Sequence, residues 1–376
     1  MKTTYKNEQV KRKFYEWLKN YKRFSPKSVN RCENAICLWE DFTDYKDFKN
    51  FNETMAVEFT NWLRNKKKIR SQENVSLTYS YHILRFIRLF FDWLSKQNGY
   101  KRIGNNNAVD YLHLTNKENQ EATQPKDIKC PDLQDVKKAI ENIKGETEIE
   151  MRDKALLSLA VMTGARIEAI MTLPMKSFDR EKQVLYQHTE LGVKTKNSTN
   201  ITSVLIPFFY KETLTYFMQW YDYLQKQRGF TPENPIFPAT KIENGKENIG
   251  YYNTEKVGSE FVKAQTAFRK IYEKRFKNAG AKYYNPHSFR HLLVRQISKL
   301  SLTEEQKRAF SQNFGHKYTA TTFGSGGYGR FEADKQIEII RNVDFEGKNV
   351  EVKYNFSKEE ITELIKETIK NNDLGK

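Results

Sequence analysis

Along the first hundred residues, apolar side chains recur with the three-and-four spacing of helices that bury one face. Val10, Phe14, Trp17, Leu18 and Tyr21 make the first stripe. Ser25-Pro26 is a start signal for a second helix, with Val29, Ile36 and Trp39 on its inner side. A third runs near Met55 to Leu63 and ends in the basic cluster Arg64, Lys66, Lys67, Lys68 and Arg70. The fourth, roughly Val75 to Gln97, carries Ile83, Phe86, Ile87, Phe90 and Leu94, with Gly99 beyond it as a stop. Arg85 and Arg88 lie on its less apolar side. From Gly104 to Pro131 the pattern fails: the chain is polar and broken by Pro125 and Pro131, which predicts a linker.

Helical spacing returns with Leu133, Val136, Ile140 and Ile143, stopped by Gly145. Asp153 to Met162 is apolar all round, the mark of a buried helix, and it delivers Arg166 from a buried position. Val184-Leu185-Tyr186 and Ser203-Val204-Leu205-Ile206 read as short strands. Glu212 to Gln227 is a helix closed by Gly229, Pro238 to Glu255 a polar loop, and Phe261 to Lys277 helical again. Asn285-Pro286 reads as an N-cap and first helical residue. Asp334 to Ile340 forms a short helical pattern. Ser357 and Glu360 make a capping box, with Phe356 and Ile361 as a staple, opening an amphipathic helix over about Lys358 to Lys370. The fold class predicted is mainly α with a small β-sheet. The divisions are a helical domain over 1–103, a linker over 104–131, a mixed α/β domain over 132–345 and a helical tail over 346–376.

Charge narrows the function. A net charge of +17 and a pI of about 9.4 point to a polyanionic partner. Cys32, Cys37 and Cys130 show neither ligand spacing nor a disulfide framework, as expected of reduced thiols in the cytoplasm. No apolar run approaches a membrane span, and the first residues lack the apolar core of a signal peptide.

The candidate chemistry lies between Asn285 and Tyr328. His287 and Arg290, three apart, can address one phosphate near a helix end that itself favours anions. Three of the six histidines fall here, His287, His291 and His316, followed by Thr321-Thr322, a glycine-rich run and Tyr328. Cations, histidines and a tyrosine with no paired carboxylates point to phosphoryl transfer without a metal or other cofactor. A second arginine is needed, and Thr163-Gly164-Ala165-Arg166 offers it.

His-x-x-Arg, Gly315-His316, Thr-Gly-x-Arg and a C-terminal tyrosine, in this order and over roughly Lys6 to Asn342, resemble the tyrosine recombinase (phage integrase) family. The resemblance implies a helical, SAM-like core-binding domain followed by a catalytic domain, together forming a clamp on double-stranded DNA. It implies a homo-oligomer, a tetramer on DNA, with a C-terminal segment that packs on a neighbour. It implies cleavage and rejoining of DNA through a phosphotyrosyl link, for integration or excision of a mobile element. Tyr328 would attack, Arg166 and Arg290 would clamp the non-bridging oxygens, His287 would act as base, and His316 would donate to the phosphate. A lysine on the hairpin between the two strands would protonate the leaving oxygen: Lys196 by its distance to Pro207, or Lys194.

Two departures stand out. The family often has a glutamate three residues after the arginine, where this chain has Ala169, with Glu168 one earlier. The family nucleophile usually comes nine or ten residues after the Gly-His histidine, where this chain has Ser325 and Gly326; Tyr328 comes at twelve. Its Tyr-Gly with Gln336 downstream matches a bacterial integrase subgroup, and Tyr318 is the other tyrosine nearby. Arg64, Lys66, Lys67, Lys68, Arg85 and Arg88 are the candidate DNA contacts of the first domain, against the plain alternative of a solvated helix end. The residues alone leave open a non-catalytic DNA-binding descendant of a recombinase and a strand nicker of the type IB topoisomerase kind.

Overall fold

The computed structural model describes residues 5–68, 71–105, 107–124, 129–207, 209–244, 251–324 and 327–329. The chain forms two compact units that divide between Lys126 and Asp127.

The first unit is helical: α1 (Tyr5–Asn20), α2 (Pro26–Thr43), α3 (Glu53–Asn65), α4 (Leu77–Leu94), α5 (Lys101–Asn105) and α6 (Asn116–Thr123). The starts are fixed by side chains that accept orphan backbone N–H groups: Ser25 for α2, Asn52 for α3, Ser76 for α4. Phe90 and Phe91 are consecutive yet both fully buried, so α4 is wrapped on two sides. Phe91 stacks on Phe51 at 3.8 Å and meets Trp39 edge-on, while Phe90 meets Phe14 and Phe48 edge-on.

The stretch expected as linker departs from the sequence reading. Ala108, Val109, Leu112, Leu114 and Ala122 all enter the core of the first unit. Thr115 and Glu118 form a reciprocal capping box that starts α6, and Thr78 of α4 donates to the Ala122 carbonyl. The aliphatic residues here are too sparse for a periodicity, yet these five are buried.

The second unit is built on α8 (Glu148–Thr163), buried along almost its whole length. Before it comes α7 (Leu133–Glu141), capped by Asp132; after it comes the one-turn α9 (Ile167–Ile170). β1 (Phe178–Asp179), β2 (Val184–Gln187) and β3 (Ile201–Val204) form an antiparallel sheet in that order, with Leu185 opposite Ser203. The second strand thus starts two residues earlier than its apolar run. α10 (Glu212–Asp222) follows and continues through a wider turn to Gln227.

Pro238 to Glu255, expected as a loop, instead belongs to a two-stranded hairpin, β4 (Pro238–Asn244) with β5 (Tyr251–Phe261). Two register shifts break the alternation that would have revealed it. Its root is tied down from α8: Arg152 donates to the Pro238 carbonyl and to Thr240, and Glu148 accepts from the Val257 N–H. α11 (Gln265–Asn278), α12 (Ser288–Ile297), α13 (Glu304–Asn313) and α14 (Thr319–Phe323) complete the unit. The expected helices at 334–340 and 358–370, and the rest of the tail, lie outside the described residues. Among the described residues no helix is long and apolar enough to cross a membrane.

Candidate active site

Arg290 sits on α12, 1% exposed. Its helix starts at Ser288, later than Asn285-Pro286 predicts. Asn285 instead caps a preceding turn: its side chain accepts the His287 N–H and its carbonyl the Ser288 N–H. His287 therefore precedes the helix, and its N–H is not free for an anion.

The end of α8 explains Thr-Gly-x-Arg. Thr163 folds its hydroxyl back onto the Leu159 carbonyl and accepts the Ala165 N–H. Gly164 takes the left-handed conformation, φ 57°, and returns its N–H to Ala160. That turn aims the Gly164 carbonyl at Arg290, whose Nε donates to it at 2.9 Å. A Cβ on Gly164 would lie 3.3 Å from the Arg290 Cα, so glycine is needed for conformation and for closeness. Arg166 follows at the start of α9. It is half-buried rather than buried, and among the described residues no carboxylate pairs with it.

His316 reaches the same point from α13. Asn313 joins the edge of β3, accepting the Val204 N–H at 2.6 Å and donating to the Val204 carbonyl. Ser203 donates to the Asn313 carbonyl. Gly315 then turns with φ 67°, and a Cβ there would run into Ile201. His316 arrives with Nε2 at 3.0 Å from Arg290 Nη1 and Nδ1 at 2.8 Å from Thr322 Oγ1.

Tyr328 closes the cluster. Its hydroxyl lies 2.9 Å from His287 Nε2. Its ring stacks on His316 at 4.9 Å, lies 4.5 Å from His291, and has the Arg290 guanidinium 5.7 Å away. Two extra residues in the glycine run do not keep this tyrosine from the site. Tyr318 is 62% exposed, with Lys317 over its ring.

Lys196 lies on the β2–β3 connection and is exposed. The loop's base is fastened by His188, which bonds Glu190 and Thr202, and by Asn200, which accepts from Thr189. Its tip is strained: Asn197 and Ser198 both have positive φ, 58° and 53°. Lys196, and not Lys194, is among the charges that act on His287 and His316. The Lys194 backbone N–H is bound to Thr172.

Burial, reinforced by Arg290, His291, Arg166 and Lys196, pushes His287 down to about 4. Burial and the same cations, with His287, push His316 down to about 3. Burial and Arg295 push His291 down to about 4. All three are neutral at physiological pH, so His287 Nε2 can accept the Tyr328 proton. Arg290, lowered to about 10 by burial and then by Arg166, stays charged. The result is a pocket of positive charge and neutral imidazoles. Among the described residues, no group of three or more His, Cys, Asp or Glu is placed to hold a metal ion.

The sequence profile of the phage integrase family matches residues 132–323, just over half of the chain, from the start of α7 to the end of α14. The chain belongs to the phage integrase family. No curated protein sequence matches it. Solved structures of tyrosine recombinases share its fold. XerH site-specific recombinase, in a post-cleavage complex with palindromic difH substrate, is 16% identical with a TM-score of 0.54, over 84% of this chain and 79% of that one. A lambda integrase tetramer bound to a Holliday junction is 13% identical with a TM-score of 0.53, over 86% and 79%. Tn1549 transposon integrase with transposon right end DNA is 15% identical with a TM-score of 0.52, over 89% and 99%.

In this phage integrase family member, Arg166, Lys196, His287, Arg290, His316 and Tyr328 come from five separate segments of the second unit. The first unit's cations are more mixed. Arg64 pairs with Glu118, Lys68 with Glu73 and Arg88 with Asp110. Lys66 sits 4.3 Å over the Trp62 ring, and Lys67 and Arg85 are exposed without a carboxylate among the described residues. Three contributors escaped the sequence reading: the Gly164 carbonyl, Thr322, and Ser311, whose Oγ accepts from Thr322 at 2.9 Å. Thr322 stood next to the motif but gave no signal of its role. His291 did carry a signal, since it follows Arg290 directly; its Nε2 is buried without a partner beside Tyr328.

Proposed function

We propose that the chain is a site-specific DNA recombinase that cleaves and rejoins strands through Tyr328. The observation that carries this reading is the Tyr328 hydroxyl at 2.9 Å from a neutral His287 Nε2, beside arginines that no carboxylate among the described residues neutralises. A DNA phosphate placed between Arg166 and Arg290 supplies the missing negative charge. The phenol oxygen attacks phosphorus while His287 Nε2 takes its proton. A bond forms between phosphorus and the tyrosine oxygen, and the bond to the neighbouring sugar oxygen breaks. Lys196 gives that leaving oxygen its proton. The two guanidinium groups stabilise the charge that builds on the non-bridging oxygens. Reversal by another strand's hydroxyl rejoins the DNA, and the energy of the broken bond is kept in the phosphotyrosyl link.

The first unit, with Lys66, Lys67 and Arg85 unpaired with any carboxylate among the described residues, would grip the duplex backbone alongside Arg64, Lys68 and Arg88. Assembly of several copies on DNA and service to a mobile element belong to this reading. It is supported by membership of the family and by the fold shared with a transposon integrase.

The test is a suicide substrate. Duplexes bound from a random pool are nicked near the selected site, incubated with the full chain, and run under denaturing conditions. The expected result is a covalent protein–DNA band that is lost in Tyr328→Phe, with DNA affinity unchanged. A band that persists in Tyr328→Phe moves the nucleophile elsewhere; wild type that binds but never links is a DNA-binding protein only.

A further inference from the structure

Behind His316 runs a chain of hydrogen bonds whose direction is set from both ends. Arg290 Nη1 lies 3.0 Å from His316 Nε2, and His316 Nδ1 lies 2.8 Å from Thr322 Oγ1. Thr322 Oγ1 lies 2.9 Å from Ser311 Oγ, which lies 3.3 Å from the Tyr318 carbonyl oxygen. Arg290, Thr322, Ser311 and His316 are all buried. A guanidinium can only donate and a carbonyl can only accept. At one end, therefore, His316 Nε2 is the acceptor. At the other, Ser311 must donate to Tyr318, which leaves its oxygen to accept from Thr322. The Thr322 proton is then committed to Ser311, so its oxygen accepts from His316 Nδ1–H.

We propose that Thr322 and Ser311 are positioning residues that lock His316 with its proton on Nδ1, so that its Nε2 lone pair holds Arg290 in place for the phosphate. This rests on the recombinase reading, and it changes one role within it. A neutral His316 held this way has no proton at Nε2 to give a phosphate. Donation there would need an imidazolium, against burial and the charges of Arg290, Arg166 and Lys196, which all oppose a further positive charge. Arg290, by contrast, gains two fixed points, Gly164 O on Nε and His316 on Nη1. The rest of its donor fork faces Tyr328, where the phosphate would sit. Packing alone would not require a hydroxyl at 322, since valine has the same shape; the bond direction does.

The experiment reads the tautomer and the chemistry separately. Nitrogen-15 correlation spectra of the full chain, with His316 assigned by its loss in His316→Gln, should show a protonated Nδ1 and an unprotonated Nε2. Thr322→Val should lose that single-tautomer signature. It should also slow single-turnover cleavage of the nicked duplex by roughly tenfold, the scale of one buried hydrogen bond, with DNA affinity unchanged. Thr322→Ser should restore both. A protonated Nε2 in wild type overturns the proposal, and so does equal loss in the serine and valine variants. The spectrum needs no DNA and no turnover, so absence of any covalent link in wild type would count against the recombinase reading alone.

Discussion

Arg152 and Arg275 lie almost as deep in the second unit as Arg290, yet their surroundings are the reverse of its own. Arg152 Nη2 and Arg275 Nη2 each lie 2.8 Å from an oxygen of the buried Asp153, and Glu150 stands 3.6 Å from Arg275. Arg152 also bonds the root of the β4–β5 hairpin. Every charge there has its opposite, so the cluster holds helices and hairpin together and has nothing left for a ligand. Arg290 has a carbonyl, an imidazole and two aromatic faces around it, and Arg166 stands near enough to lower its pKa. Among the described residues no carboxylate pairs with either. Uncompensated charge inside a protein is costly. Here it persists beside three imidazoles held neutral; on the proposed recombinase reading, a DNA phosphate would supply the missing negative charge.

Alanine at the two clusters should separate these roles. Arg290→Ala should cut cleavage by more than about a hundredfold, as for loss of a transition-state donor, while the melting temperature stays level or rises. Arg275→Ala leaves Asp153 with Arg152 alone and removes the cation beside Glu150, and should destabilise by roughly 2 kcal/mol, the scale of hydrogen bonds to a charged group, while the folded fraction still cleaves. Thermal melts and single-turnover rates decide this; slower cleavage per folded molecule in Arg275→Ala than in Arg290→Ala would collapse the distinction.

The same contrast can be carried to the first unit. Among the described residues Lys66, Lys67 and Arg85 have no carboxylate, whereas Arg64, Lys68 and Arg88 do. Changing the first three to alanine should flatten the slope of log K against log salt by up to about three units. The weakening should be alike on specific and random DNA. The compensated three should flatten it less. An equal or larger change from the compensated set would show that internal pairing does not mark which cations meet DNA.

A smaller effect is expected from acid. His287, His291 and His316 titrate near 4, 4 and 3 in the fold, below the ordinary 6.5 that an unfolded chain has. Depressed values favour the fold above 6.5, and that contribution is lost as pH falls from 6.5 through 4 for His287 and His291 and through 3 for His316. The melting temperature should therefore drop across this window more in wild type than in a variant with glutamine at all three positions. Parallel curves would mean that the imidazoles are not held neutral.

Much of this was legible in the sequence. Residues with a fixed local grammar announced themselves: Ser25-Pro26, the apolar run into Thr163-Gly164, and the order His287, Arg290, His316, Tyr328. What stayed hidden depends on partners far along the chain. Leu112, Leu114 and Ala122 look like scattered apolar residues in a linker until α4 is seen beside them. The β4–β5 hairpin is held by Arg152 and Glu148, about a hundred residues away, and its register shifts blur the alternation. Thr322 is an ordinary threonine until His316 and Ser311 fix its proton. Tyr328 shows the opposite lesson: counting made its place irregular, and the structure brings it to His287 all the same.

The central claim is that the charge left unpaired around Arg290 exists to meet the charge of a DNA phosphate. Its most direct test replaces the scissile phosphate of the nicked duplex by a methylphosphonate, which removes the negative charge of one non-bridging oxygen. If the claim holds, the loss of more than about a hundredfold in Arg290→Ala on phosphate shrinks to less than about tenfold on the neutral group, because the guanidinium has less charge to stabilise. An Arg290→Ala defect just as large on methylphosphonate as on phosphate would contradict it.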